Sequence, residues 1–130
     1  MSWARSSDPA AIERMATGDF TREFGHRAAL EALRADPGVD ALVCANDLIA
    51  LGALDAASEV GRSVPESLSI TGFDDINVAT VCRPTLTTVR QPVVDIVETA
   101  VSILLGLIGG VASDETEIQL PVQLIVRGSA

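Results

Sequence analysis

The chain has 130 residues, 48% of them hydrophobic, which is enough apolar material for one packed core and excludes intrinsic disorder. Nine basic residues against eighteen acidic ones give a net charge of -9, so the chain by itself repels phosphate backbones. Cys44 and Cys82 lie far apart beside a single histidine, His26, so no zinc or redox motif can be assembled; no metal and no cofactor are expected, and both thiols read as free and buried.

In chain order, the N-terminus lacks the apolar stretch of a secretory signal, which points to the cytoplasm. Asp8 as N-cap and Pro9 at the first helical position predict a short helix over residues 8–16, ended by Gly18. Thr21 caps a second helix running to about Ala35, with Phe24, Ala28, Ala32 and Leu33 on one stripe and Asp36-Pro37-Gly38 as its stop. The run from Asp40 to Ala45 is apolar without alternation, as in a strand buried in a parallel sheet. A helix from Asp47 to about Val60 should turn Leu48, Leu51, Leu54 and Ala57 inward and stop at Gly61.

Leu68–Thr71 is a further strand, Leu86–Val89 another, Pro92 to about Leu107 a helix, and Glu117–Val126 a last strand. Strand, helix and strand over about thirty residues call for a parallel crossover. The fold class is α/β: a parallel, doubly wound three-layer α/β/α sandwich. The uncharged stretch from Thr99 to Ser113 is shorter than the ~20 residues of a membrane span, so no membrane partner is expected. Between Val93 and Ile108 only Asp95 and Glu98 are charged, and the apolar residues cannot share one stripe. Such a helix must be covered on more than one side, by another chain, an absent domain or a different packing.

Candidate chemistry is confined to a few positions. Asn46 and Asp74 each follow a buried strand and are separated by one crossover, which puts both at the carboxyl edge of the sheet, where open α/β sheets bind ligands. A carboxylate accepting from adjacent hydroxyls and an amide that both donates and accepts suit a sugar; the alternative is that both merely cap the next helix or turn. Phe20 is either an apolar wall for the ligand or a hydrophobic staple under the helix. Asp47 and Asp75, neighbouring carboxylates of loops, read as solvated or capping, and His26 as a surface residue. No nucleophile with a base and no glycine-rich phosphate loop is found, so an enzyme is not expected.

The run Asp40-Ala41-Leu42-Val43-Cys44-Ala45-Asn46-Asp47-Leu48-Ile49-Ala50-Leu51-Gly52-Ala53 resembles a characteristic block of the bacterial lactose-repressor/galactose-repressor regulators. Four more blocks come after it in order: Gly61–Glu66, Ile70–Asp75, Pro84–Pro92 and Leu120–Arg127. The likeness spans roughly Gly18 to Ser129 and implies an effector-binding core of periplasmic-binding-protein type I, of which this chain is the C-terminal subdomain only. By the family's pattern, Asn46 and Asp74 match effector-contacting positions and Phe20 an aromatic one. The resemblance further implies a small-molecule effector, a sugar or related metabolite. It implies a homodimer, with the helix after Asn46 and residues 76–83 near the interface and Cys82 near its symmetry mate; the helix that is apolar all round is then expected to be hidden in a dimer or by domain exchange. Operator DNA would be contacted only through an N-terminal head that this chain lacks, together with most of the N-terminal subdomain and an upstream effector-binding arginine. In that scheme residues 18–90 and 117–130 form the C-terminal subdomain, and residues 91–112 complete the other one. The alternative within the same fold is the sugar-binding protein of an ABC transporter.

Overall fold

The computed structural model describes residues 2–4, 12–110 and 117–130. Its elements are β1 (Ser2–Ala4), β2 (Ile12–Met15), α1 (Arg22–Ala35), β3 (Ala41–Val43), α2 (Asp47–Glu59), β4 (Ser69–Asp74), a 3-10 helix (Asn77–Thr80), β5 (Thr87–Arg90), α3 (Val93–Ile108) and β6 (Gln123–Ile125). The strands form one sheet in the order β2-β1-β3-β4-β5-β6. β3, β4 and β5 are parallel, as expected, with Leu42 opposite Ile70 and Gly72 opposite Thr88. β1 runs antiparallel to both of its neighbours, so the α/β sheet is mixed at that edge.

The helix expected over residues 8–16 is not formed where the chain is described: Ile12–Met15 is β2, and residues 8–11 lie outside the described part. A nine-residue segment is too short to hold a helix by propensity alone, and pairing with β1 gives its backbone groups partners instead. The last strand is also shorter than expected, confined to Gln123–Ile125.

Two compact units make up the chain, one comprising the residues to Arg90 with Leu124–Ala130, the other Gln91–Gln123. In the first unit, Leu42, Leu68, Ile70 and Leu86 are completely buried, on the sheet face against which α2 packs. The opposite face carries Val43, which is exposed, and Ala41, Thr71 and Phe73, which are half-buried. α1 begins as its sequence predicts: the Thr21 hydroxyl accepts from the Phe24 amide, and Phe24, Ala28, Ala32 and Leu33 are buried.

Of the stripe expected for α2, Leu51 and Ala57 are buried, whereas Leu48 is 41% exposed and Leu54 only half-buried; Ile49, Ala50, Ala53 and Ala56 are buried in their place. The cause is close packing against α1: a Cβ on Gly52 would lie 2.1 Å from the Arg22 carbonyl oxygen, and one on Gly25 2.2 Å from that of Ile49. Only small residues fit between backbones that near. On the outer side of this pair, Arg22 holds Asp55 with two bonds of 2.6 and 2.8 Å, and Glu59 meets His26 and Arg34.

The second unit contains α3, which spans the residues predicted for it to within one at each end and buries none of its side chains. No helix among the described residues is long and apolar enough to cross a membrane.

Candidate functional site

The carboxyl ends of β3, β4 and β5 and the loops after them bring together Asn46, Asp47, Asp74, Asp75 and Arg90. Asn46 is the N-cap of α2, its extended backbone ending β3's loop while Oδ1 accepts from the Ile49 amide at 2.8 Å. Its Nδ2 donates to the Phe20 carbonyl at 3.3 Å, which ties the loop before α1 to the start of α2. Asn46 therefore does cap, yet its amide retains one N–H for a ligand. Phe20 is 65% exposed; the ring that packs under α1 is that of Phe24. Of the two readings for Phe20, the exposed ring departs from the hydrophobic staple.

Asp74 is the last residue of β4, opposite Arg90 at the end of β5. It has φ 115 and Asp75 φ 57, two successive non-glycine residues at positive φ. Such conformations cost roughly 1–3 kcal/mol each and persist only where the surroundings hold them. The holding groups are visible. Asp75 meets Arg90 Nε at 2.6 Å and Arg127 at 2.6 Å, and its side chain is 6% exposed. Arg127 in turn donates to the Leu86 carbonyl at 2.9 Å.

Asp47 is completely buried at the first position of α2, where Oδ1 accepts from the Thr88 hydroxyl at 2.5 Å and Oδ2 from the Ile76 amide at 2.9 Å. The reading of Asp47 and Asp75 as solvated or merely capping is thus overturned. Both carboxylates are enclosed, and each has long-range partners that no local pattern announces. Burial raises the Asp47 carboxyl, against the bonds from Thr88 and Ile76, with the nearby Asp74 and Asp75 adding to the rise. Burial also pushes Asp75 up, but the bonds and charges of Arg127 and Arg90 outweigh it and leave Asp75 below the usual carboxylate range.

Asn46, Phe20 and Asp74 accordingly lie on one edge of one unit, with Arg90 as a fourth member that the sequence reading missed. Its only signal was position, a charged residue ending a strand next to that of Asp74. This edge offers a carboxylate, an amide N–H and a flat apolar ring, the set that orients a polyol. Elsewhere, a groove of about 470 Å³ in the second unit runs between Ile96, Ala100, Ile103, Ile118 and Val122, with Gln91, Thr99 and Glu117 as its polar lining. Cys44 is buried, its thiol pushed up to about 12 chiefly by burial, and Cys82 is half-buried; both are free. Among the described residues no three histidine, cysteine or acidic side chains cluster as a metal site.

A family model for the periplasmic binding protein-like domain matches residues 2–130. The chain is 38% identical over 130 residues to the HTH-type transcriptional regulator reg1 of Streptomyces lividans, covering 94% of this chain and 37% of that protein. Among solved structures, it superimposes with a TM-score of 0.82 and 32% identity on a LacI family transcriptional regulator from Arthrobacter sp. FB24 in complex with lactose, covering 92% of this chain and 45% of that one. A transcriptional regulator CelR–cellobiose complex matches with a TM-score of 0.82 and 36% identity, over 87% of this chain and 35% of that one. The chain spans about a third to under half of these relatives' lengths.

Proposed function

Because the chain belongs to the periplasmic binding protein-like domain family, we propose that it is the effector-sensing, C-terminal portion of a lactose-repressor/galactose-repressor type transcriptional regulator, with a sugar or related metabolite as its effector. The observation that carries this is the joining of Asn46 Nδ2 to the Phe20 carbonyl at 3.3 Å on the sheet edge that ends in Asp74. It sets an amide, an exposed ring and a carboxylate on one edge. Asp74 accepts from sugar hydroxyls, the remaining Asn46 N–H donates to one, and Phe20 covers an apolar sugar face. The relatives with bound lactose and cellobiose support a sugar. They are regulators, which favours this reading over a transporter's sugar-binding protein of the same fold. No catalytic step is proposed.

In the whole protein the effector binds two arrangements of the sensor with different affinity and so biases the DNA-reading heads. The first unit, ending at Arg90 and resumed at Leu124–Ala130, carries the effector-contacting residues, and Gln91–Gln123 belong to the other subdomain. This chain alone, with its net charge of -9, shifts no operator DNA in a gel assay.

The test of the site is titration of the chain with lactose and cellobiose, monitored by NMR at Phe20, Asn46 and Asp74. Weak, millimolar responses are expected, because the chain spans under half the length of its sugar-bound relatives. Asp74→Asn and Asn46→Asp, which keep the shape and the helix cap, should abolish them. Silence of all three residues with both sugars would end the sugar reading.

The helix α3, with no buried side chain and apolar residues all round, is covered in solution by a second copy of the chain, by simple association or domain exchange. Light scattering should give a dimer that binds little apolar dye. A monodisperse monomer would refute it.

A further inference from the structure

Asp47 is completely buried behind the proposed site and bonds to two of the elements that carry it, β5 and the turn after β4. It comes directly after Asn46, so its position fixes that amide at the start of α2. Its Oδ2 accepts from the Ile76 amide, the first backbone group after the strained Asp74–Asp75 turn. Its Oδ1 accepts from Thr88, a buried residue of β5 two positions before Arg90. The space it occupies is made by Gly72 on β4, where a Cβ would lie 2.2 Å from Oδ1.

We propose that Asp47 is the positioning residue of the effector edge: one buried carboxylate, bonded to β5 and to the turn after β4, sets the spacing between the Asn46 amide and the Asp74 carboxylate. This rests on the sugar-binding reading of Asn46 and Asp74. The chemistry needs two acceptor oxygens at one point, because an amide N–H and a hydroxyl converge there from different elements. An alanine would leave the Ile76 amide without its partner and release the turn from α2. An asparagine can serve in part, since its oxygen accepts from Ile76 while its nitrogen donates to a Thr88 hydroxyl rotated to accept.

The experiment compares the wild-type chain with Asp47→Ala, Asp47→Asn and Thr88→Val by amide hydrogen exchange and by NMR titration with lactose and cellobiose. Expected for Asp47→Ala is about a tenfold loss of protection at Ile76 and displaced Asp74 and Asp75 signals, with Ala29 and Ala53 in the core still protected. Its sugar response should fall about tenfold in affinity, and Asp47→Asn should recover most of both. Equal loss of protection at all amides, or an unchanged turn, would overturn the assignment. Should Asp47→Ala fail to fold, Thr88→Val removes one of the two donors and must produce the same local pattern in weaker form; an unaffected Ile76 in that variant also overturns it. A wild-type chain that answers neither sugar while Asp47→Ala loosens the turn would sink the effector reading and leave the positioning role standing.

Discussion

Asp75 is a carboxylate between two arginines, and its titration couples the turn to pH. Burial favours its neutral form, but Arg127 and Arg90 favour the ionised form more strongly, so its folded value lies below the ordinary one. A depressed carboxylate contributes stability above its unfolded value of about 4, and that contribution is lost as pH falls through the folded value. Asp47 works in the opposite sense: burial raises it above the ordinary value, so its contribution is present at low pH and fades as pH rises through the folded value. Urea midpoints measured from about pH 6 to about pH 3 should therefore fall more steeply for the wild type than for Asp75→Asn, the gap narrowing below about pH 4. Parallel profiles would show that Asp75 is not the group responsible.

At the scale of elements, α1 and α2 approach so closely that glycine is required at the crossing. Gly52→Ala puts a methyl group 2.1 Å from the Arg22 carbonyl and 2.4 Å from the His26 amide, both backbone atoms that cannot swing away. The helices must separate, at an expected cost of about 1–3 kcal/mol in urea unfolding; a variant as stable as the wild type would contradict so close a crossing. This contact also explains what the sequence could and could not tell. The ends of α1 and α2 were legible because Thr21 and Asn46 signal helix starts through local bonds. The inward face of α2 was legible only in part: Leu51 and Ala57 are buried as expected, but the glycine-mediated contact selects Ala50, Ala53 and Ala56 over Leu48 and Leu54. The helix expected to run on to Ala16 is absent over Ile12–Met15 for a related reason: their pairing with β1 is decided between segments, where local signals do not reach. Asn46, Asp74 and Phe20 could be placed on one edge from strand ends alone. The enclosed roles of Asp47, Asp75 and Arg127 depend on partners on other elements, from Arg90, 15 residues beyond Asp75, to Arg127 near the far end of the chain, and left no pattern to read.

At the scale of the first unit, the far end of the chain completes the sheet. Ser129 is completely buried; its hydroxyl donates to the Ile70 carbonyl at 2.6 Å and accepts from the Thr87 amide at 2.9 Å. Its carbonyl accepts from the Ile70 amide at 2.7 Å, and the Gly128 amide reaches the Thr85 carbonyl at 2.9 Å. Residues 59 positions apart are thereby joined at the amino ends of β4 and β5, opposite the edge that carries Asn46 and Asp74. Ser129→Ala keeps the backbone bonds but leaves the Thr87 amide and the Ile70 carbonyl short of a partner in a buried place, where each unmet group costs about 1–3 kcal/mol. Ending the chain at Arg127 removes the backbone bonds as well and should cost more. The two variants should rank in that order by urea unfolding, and Thr87 should exchange its amide faster in both. Because the clasp and the ligand edge lie at opposite ends of the strands, Ser129→Ala should lower stability while leaving the sugar response of Asn46 and Asp74 intact. Loss of that response in a folded Ser129→Ala chain would mean that the two ends of the sheet are coupled.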